Sequence, residues 1–114
     1  RLIKEKFSDI EIQTTFQSRF GPSEWLKPYT DKTLNSLPNQ GKKNVLVICP
    51  GFASDCVETL EEINIQGKED FLKNGGENFD LIPCLNDNPD HIKLFEILVK
   101  KYLVKKQNEF LPII

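Results

Sequence analysis

The stretch that decides the fold reads VLVICPGFASDCVETLEE and occupies residues 45–62. It opens on an unbroken apolar run over residues 45–48, which is typical of a central strand in a parallel sheet. Pro50 and Gly51 then indicate a tight turn before a helix. Four carboxylates follow within eight positions, namely Asp55, Glu58, Glu61 and Glu62. The pattern predicts a strand, a loop and an acidic helix at the carboxyl end of the strand, where open α/β sheets bind ligands.

The four carboxylates of the predicted helix are expected to repel one another. At about 100° per residue, an α-helix places Asp55, Glu58 and Glu62 on one face, with Glu61 beside it. Like charges at these spacings destabilise a helix, so the acids favour a positively charged ligand. The alternative is structural. Asp55 and Glu58 match a capping box, and a negative charge at Asp55 also stabilises a helix N-terminus.

The rest of the chain completes one small α/β domain. Strands are predicted at residues 11–16, 44–48 and 79–82, and helices at residues 1–7, 30–37, 55–74 and 89–104. The alternating order predicts a three-layer fold, in which a parallel sheet is flanked by helices. The apolar positions expected to be buried are Val57, Leu60, Ile63, Phe71 and Leu72 in the long helix, and Leu94, Ile97, Leu98 and Tyr102 in the last one.

Composition excludes several classes of function. With 39% hydrophobic and 28% charged residues, the chain is an ordinary globular domain. A net charge of −2 gives no reason to expect a nucleic acid partner, and no apolar run approaches the roughly 20 residues that span a bilayer. The three cysteines form no Cys-x-x-Cys pair, which favours reduced cytoplasmic thiols. Because the chain of 114 residues begins with Arg1 and contains no Met, it is expected to be part of a longer protein.

Three blocks in fixed order give the chain a resemblance to a known family. They read TFQSRFGPSEWLKPYTD at residues 15–31, CPGFASDCVETLEE at 49–62 and IPCLNDNP at 82–89. Together they resemble the C-terminal lobe of bacterial ferrochelatases. The resemblance implies a chelatase-like, Rossmann-like second lobe over residues 1–104, with a tail over residues 105–114 and a missing N-terminal lobe.

The resemblance also implies an activity and residues that carry it. Ferrochelatases are lyases that insert Fe²⁺ into protoporphyrin IX in the last step of haem biosynthesis. Glu58 matches the active-site glutamate that handles protons and metal, while Asp55 and Glu62 match an acidic relay along a widened helix. Trp25 is expected to line the porphyrin cleft, or else to anchor its loop on the core. Arg19 is expected to pair with a propionate, or else to form a surface salt bridge.

The resemblance further limits cofactors and partners. No resident cofactor is expected, and no iron–sulfur cluster, because no cysteine follows Cys84. Cys56 stands where many relatives have a histidine and resembles a bacterial subset of the family, which argues against an obligatory base at this position; the alternative is a half-buried thiol near the helix N-terminus. His91, the single histidine, matches no catalytic position and is expected to be exposed. The expected partners are porphyrin, ferrous iron and the missing lobe. The expected location is the cytoplasm, with peripheral contact to the inner membrane left open.

Three other functions are compatible with parts of the pattern. The chain alone is expected to be inactive, so a remnant that binds tetrapyrrole or metal without turnover is one alternative. A chelatase for another metal or porphyrin is the second. The third is a flavodoxin-like binder of nucleotide or phosphate, against which the lack of a glycine-rich phosphate motif counts.

Overall fold

A two-stranded parallel sheet lies at the centre of the fold. The computed structural model describes residues 2–105. Strand β1 (Asn44–Ile48) pairs with strand β2 (Asn78–Ile82), from Asn44 opposite Asn78 to Ile48 opposite Ile82. Since parallel strands need a long crossover, the helical segment between them packs on one face of the sheet. The predicted α/β class, with a small parallel sheet flanked by helices, is confirmed.

The strand predicted at residues 11–16 is wrong. Only Phe16 forms a bridge, and its partner is Tyr29 rather than a residue of the sheet. The Phe16 amide donates to the Pro28 carbonyl at 2.9 Å, and the Thr30 amide donates to the Phe16 carbonyl at 3.0 Å. This pairing stops after one residue because Pro28 has no amide hydrogen and the chain enters a helix at Thr30.

The helical segments have the following bounds: α1 Leu2–Lys6, α2 Thr30–Ser36, a 3₁₀ turn Pro38–Gln40, a π-helix Glu58–Gly67, α3 Lys68–Lys73 and α4 Pro89–Lys105. The π-helix and α3 together form the predicted long helix. A bond from the Lys68 amide to the Ile63 carbonyl, five residues earlier, illustrates the widened turn. The predicted tail at residues 105–114 lies outside the described residues, apart from Lys105 at the end of α4.

The π-helix changes which side chains enter the core. The buried residues of the crossover recur at every fourth position, as Thr59, Ile63, Gly67 and Phe71. In a π-helix each backbone hydrogen bond spans five residues instead of the four of an α-helix. Each turn therefore holds more residues, and the buried positions recur at a longer interval. The prediction that Val57, Leu60 and Leu72 are buried is therefore wrong, and they are 63%, 49% and 40% exposed. An α-helical period would place them on the core face.

The core lies between one face of the sheet and the helices α2, π and α3. It consists of five buried residues, Leu34, Cys49, Ile63, Phe71 and Phe79. The Phe71 and Phe79 rings are tilted with centroids 5.9 Å apart, a favourable aromatic contact. Two glycines permit close approach. A Cβ at Gly67 would lie 2.9 Å from a Leu34 methyl carbon, and one at Gly76 would lie 2.2 Å from the Phe71 ring.

The opposite face of the sheet carries exposed apolar side chains. Leu46 and Ile48 of β1 are 65% and 48% exposed. Along α4, the four residues predicted to face inward are 41–70% exposed, which corrects that prediction: Leu94, Ile97, Leu98 and Tyr102. Within residues 2–105, no element covers this face or buries that helix.

Candidate functional site

Asp55 joins the two loops that follow β1 and β2. Its carboxylate accepts hydrogen bonds from the Asn86 amide at 2.8 Å, the Thr59 hydroxyl at 2.9 Å and the Cys84 backbone N–H at 3.2 Å. The Asp55 backbone N–H donates in return to the Asn86 side-chain oxygen at 2.8 Å. These donors, with Asn86 first, lower the pKa of Asp55. We call these four residues the Asp55 clasp; it fixes the carboxyl edge of the sheet.

The clasp replaces the predicted capping box. Asp55 precedes the helix, and the residue at its N-cap, Val57, makes no side-chain capping bond. The Cys56 N–H is bound instead by the Thr59 hydroxyl oxygen at 3.0 Å. The Asp55 carboxylate binds the loop after β2 and the Thr59 hydroxyl, and no backbone amide of the π-helix donates to it. The capping-box interpretation of Asp55 and Glu58 is therefore wrong.

Glu58 lies in the first turn of the π-helix and is half-buried. Its carbonyl oxygen accepts a hydrogen bond from the Gln17 side-chain amide at 3.0 Å. A hydrogen bond from the Cys56 thiol, followed by one from its own backbone N–H, lowers the pKa of the Glu58 carboxyl. The side chain is consequently ionised at neutral pH, and its main chain is held by a residue from a distant segment.

A cavity of about 620 Å³ lies between the segment containing Gln17, helix α2 and the π-helix. Glu61 and Glu62 line it on the side of the π-helix, and Arg19 belongs to the facing segment. Because a π-helix has wider turns than an α-helix, with hydrogen bonds between residues i and i+5, Glu58 and Glu62 lie close to one row along it. The predicted acidic face is altered, since Asp55 precedes the helix and the cavity is lined by Glu61 and Glu62 but not by Glu58.

Trp25 and Arg19 occupy different positions relative to this cavity. The half-buried Trp25 donates its indole N–H to the main-chain oxygen of Gln17 at 3.1 Å, which agrees with the anchor alternative. Trp25 is not among the residues that line the cavity. Arg19 is exposed at the cavity wall, and none of the ion pairs formed within residues 2–105 includes it.

The three cysteines gather near the clasp as free thiols. Burial, followed by the charge of Asp55, raises the pKa of Cys49. Burial and the hydrogen bond to Asp55 raise the pKa of Cys84 to about 11. Across residues 2–105, no group of three or more histidine, cysteine or acidic side chains is placed to hold a metal ion.

His91 is buried, which corrects the prediction that it is exposed. Its ring has a relative exposure of 7% and packs against Phe95 with centroids 4.5 Å apart. The Nδ1 atom lies 2.7 Å from the Asn86 carbonyl oxygen, which can only accept, so Nδ1 carries the hydrogen. Asn86 adopts a positive φ of 46°, and the turn that follows leads into α4. His91 thereby supports the residue that binds Asp55.

Sequence reasoning missed the neutral polar residues of the site. Gln17, Thr59 and Asn86 all lie inside the three blocks that carry the family resemblance, but they bear no charge and form no metal-ligand pattern. Asn86 alone had a usable signal, because a polar residue shortly after a parallel strand lies at the ligand-binding edge. Of the predicted site residues, the structure places Arg19 and Glu62 at the cavity, Asp55 in the clasp and Glu58 against Gln17.

No helix in the described part of the chain is long and apolar enough to cross a membrane. The chain is 51% identical over 106 residues to the ferrochelatases of Brucella ovis, Brucella canis and Brucella abortus strain S19. Those matches cover 91% of the chain but 30% of the length of each relative. The ferrochelatase family profile matches residues 1–103. The chain therefore belongs to the ferrochelatase family.

Proposed function

We propose that the natural protein inserts ferrous iron into protoporphyrin IX and so forms protohaem. The observation that carries this proposal is the 51% identity, over 91% of the chain, to proteins named ferrochelatase. The chain spans 30% of those relatives, so the activity of the whole protein is inferred and not read from this region alone. The ionised Glu58 in a widened helix supports the same reaction.

Metal insertion into a porphyrin releases two protons. Each pyrrole N–H must lose its proton as the iron–nitrogen bonds form, so the site needs a base that can also pass protons on. We assign Glu58 to this task. The hydrogen bonds that lower its pKa keep the Glu58 carboxylate ionised at neutral pH, so it is free to accept a proton. Glu62, in the same row of the π-helix, is the proposed next acceptor towards solvent.

Asp55 is proposed to have a different role from Glu62. Its carboxylate is already engaged by Asn86, Thr59 and Cys84, so proton transfer through it would break the clasp. Asp55 remains a member of the proposed acidic relay, because its negative charge lies at the start of the helix. Its contribution is electrostatic and positional, while Glu58 and Glu62 carry the protons.

Arg19 and Trp25 are the proposed porphyrin contacts. The exposed guanidinium of Arg19 has the fork geometry that binds a carboxylate through two hydrogen bonds, which suits a porphyrin propionate. Trp25 offers an aromatic face for stacking on the macrocycle while its N–H stays bound to Gln17. The two residues belong to one loop, so they are proposed to act on one edge of the same ligand.

Iron is proposed to pass through the site as a substrate. Glu58 is proposed to contact the ion briefly, and a single carboxylate fits a cation that must be released into the macrocycle. We propose that no resident cofactor takes part. The other proposed partner is the N-terminal lobe of the same protein. The cytoplasm is the proposed location, with peripheral contact to the inner membrane as the alternative.

The test compares two glutamates in the natural full-length protein. Glu58→Gln keeps the size of the side chain and removes its charge, and Glu69→Gln, at an exposed position of helix α3, is the matched control. We expect Glu58→Gln to lower the rate of iron insertion by about two to four orders of magnitude, the usual range for a general base. Equal rates for the two variants would remove Glu58 from the reaction, and an inactive wild-type protein would refute the proposed function itself.

A further inference from the structure

Gln17 connects three parts of the candidate site. Its side-chain amide nitrogen donates to the Glu58 carbonyl oxygen at 3.0 Å, and its side-chain oxygen lies 3.6 Å from the Cys49 thiol, which donates to it. Its main-chain oxygen accepts the indole N–H of Trp25 at 3.1 Å. One half-buried residue thus meets the end of β1, the first turn of the π-helix and the loop containing Trp25.

The chemistry of these partners fixes the orientation of the amide. The Glu58 carbonyl oxygen can only accept, so the nitrogen of the Gln17 side chain must face it, and the oxygen must face the Cys49 thiol. The residue therefore locks the main chain at Glu58 onto the strand that precedes the helix. No other side chain within residues 2–105 forms a hydrogen bond to the Glu58 carbonyl.

We propose that Gln17 is a positioning residue that holds the Glu58 carboxylate in its productive place. This inference rests on the proposed function, because it assigns Gln17 a role in the same proton transfer. A carboxylate on a loosened first turn would sample positions away from the substrate nitrogens, and misplacement of a catalytic group by about 1 Å can slow a reaction a hundredfold. Gln17 itself is not assigned any contact with the reacting atoms.

The hydrogen bonds of Gln17 allow its effect on catalysis to be distinguished from its effect on porphyrin binding. The link to Trp25 uses the main-chain oxygen, which every substitution retains. The link to Glu58 uses the side chain, which a substitution removes. A variant of Gln17 should therefore disturb Glu58 and leave Trp25 anchored, so chemistry and porphyrin affinity should respond differently.

The first experiment measures single-turnover iron insertion and porphyrin affinity in the natural full-length protein. Gln17→Leu removes both side-chain bonds, and Gln17→Glu keeps the size and an acceptor oxygen but removes the donor. The exposed Gln13→Leu is the matched control. We expect both Gln17 variants to react about fivefold to fiftyfold more slowly, which lies below the roughly hundredfold loss that a misplacement of about 1 Å can cause. The porphyrin dissociation constant should stay within about twofold of the wild-type value.

A second experiment tests whether Gln17 acts through Glu58. In a double-mutant cycle, Gln17→Leu should cause no further loss of rate once Glu58→Gln is present, since there is no carboxylate left to position. An equal loss in both backgrounds would overturn the inference, as would a Gln17 variant that reacts as fast as Gln13→Leu. A fall in affinity that parallels the fall in rate would indicate a structural role and also overturn it.

The failures of the two proposals are distinguishable. If Glu58→Gln slows the reaction and both Gln17 variants do not, only the role of Gln17 is refuted. If Glu58→Gln is itself silent, the catalytic assignment of Glu58 and the positioning role of Gln17 both fail. If Gln17→Leu does not fold, Gln17→Glu decides, because it preserves the volume of the side chain.

Discussion

Thr59→Val removes the centre of the Asp55 clasp without changing its shape. Thr59 is fully buried in the π-helix. Its hydroxyl oxygen accepts the Cys56 N–H at 3.0 Å and its hydroxyl hydrogen is donated to Asp55 at 2.9 Å. Valine has nearly the same volume, so the substitution leaves no cavity. The change therefore reports on hydrogen bonding alone.

The magnitude follows from the Cys56 amide. In the variant this N–H loses its partner inside a region from which the valine side chain excludes water, and an unpaired buried donor costs about 1–3 kcal/mol. We expect the free energy of unfolding to fall by about 2 kcal/mol from this source. The lost bond to Asp55 adds to the effect in a pH-dependent way, because it is one of the bonds that lower the pKa of Asp55.

The sign of the pH dependence can be stated in advance. A carboxyl whose pKa is lowered on folding contributes stability above its unfolded pKa, near 3.9 for aspartate, and loses it as the pH falls. Thr59→Val raises the pKa of Asp55 towards that value. The difference between wild type and variant should therefore be largest near pH 7 and should shrink as the pH falls below the unfolded pKa and Asp55 takes up a proton.

Urea denaturation followed by circular dichroism measures this difference. Thr33→Val is the matched control, because Thr33 is also buried but its hydroxyl donates only to the Tyr29 carbonyl four residues earlier. Such a bond within a helix contributes little, so the control should lose less than about 1 kcal/mol. The reasoning would be refuted if Thr59→Val were no more destabilising than Thr33→Val, or if its effect did not shrink at low pH.

Three other outcomes can be checked. Gly76→Ala should lower the free energy of unfolding by about 2 kcal/mol or more in chemical denaturation, because its Cβ would lie 2.2 Å from the Phe71 ring; an unchanged midpoint would contradict this. At pH 8 the Cys84 thiol, with a pKa of about 11, should react with iodoacetamide about a hundredfold more slowly than free cysteine, as followed by mass spectrometry. Trp25→Ala should weaken porphyrin binding about tenfold in a fluorescence titration, through the loss of an aromatic face; a drop in melting temperature with unchanged affinity would leave Trp25 as a loop anchor only.

The elements around the two strands were predictable because each carries a strong local signal. Residues 45–48 form a continuous apolar run that is soon followed by Pro50, and the helix after them ends at Lys73, shortly before Gly75, which adopts a φ of 99°. These signals are set by neighbouring residues in the sequence, so tertiary contacts do not change the elements that they predict. The segment at residues 11–16 also has a strand-like alternation. The pairing partner of a strand depends on residues distant in the sequence, however, and here Phe16 pairs with Tyr29 instead of with the sheet.

The π-helix limited what the sequence could reveal about the core and the site. An α-helical period selects Val57 and Leu60 as buried, whereas the wide turn selects Thr59 and Gly67, which are too small or too polar to attract notice. The charged candidates were predictable by chemical type. Gln17 was not, because its importance comes from a contact with Glu58, 41 residues along the chain.

The ten-residue π-helix makes this region sensitive to the number of residues as well as to their identity. A deletion of one residue before Gly67 would bring Lys68 to the position of Gly67, where any Cβ would lie 2.9 Å from a Leu34 methyl carbon. The same deletion would bring Leu72 to the place of Phe71. The chain could absorb the loss only by rewinding towards an α-helix, which would rotate Glu62 relative to Glu58. Insertions and deletions here would therefore alter the core and the acidic row together, so homologues with a segment of different length should not be assumed to keep either.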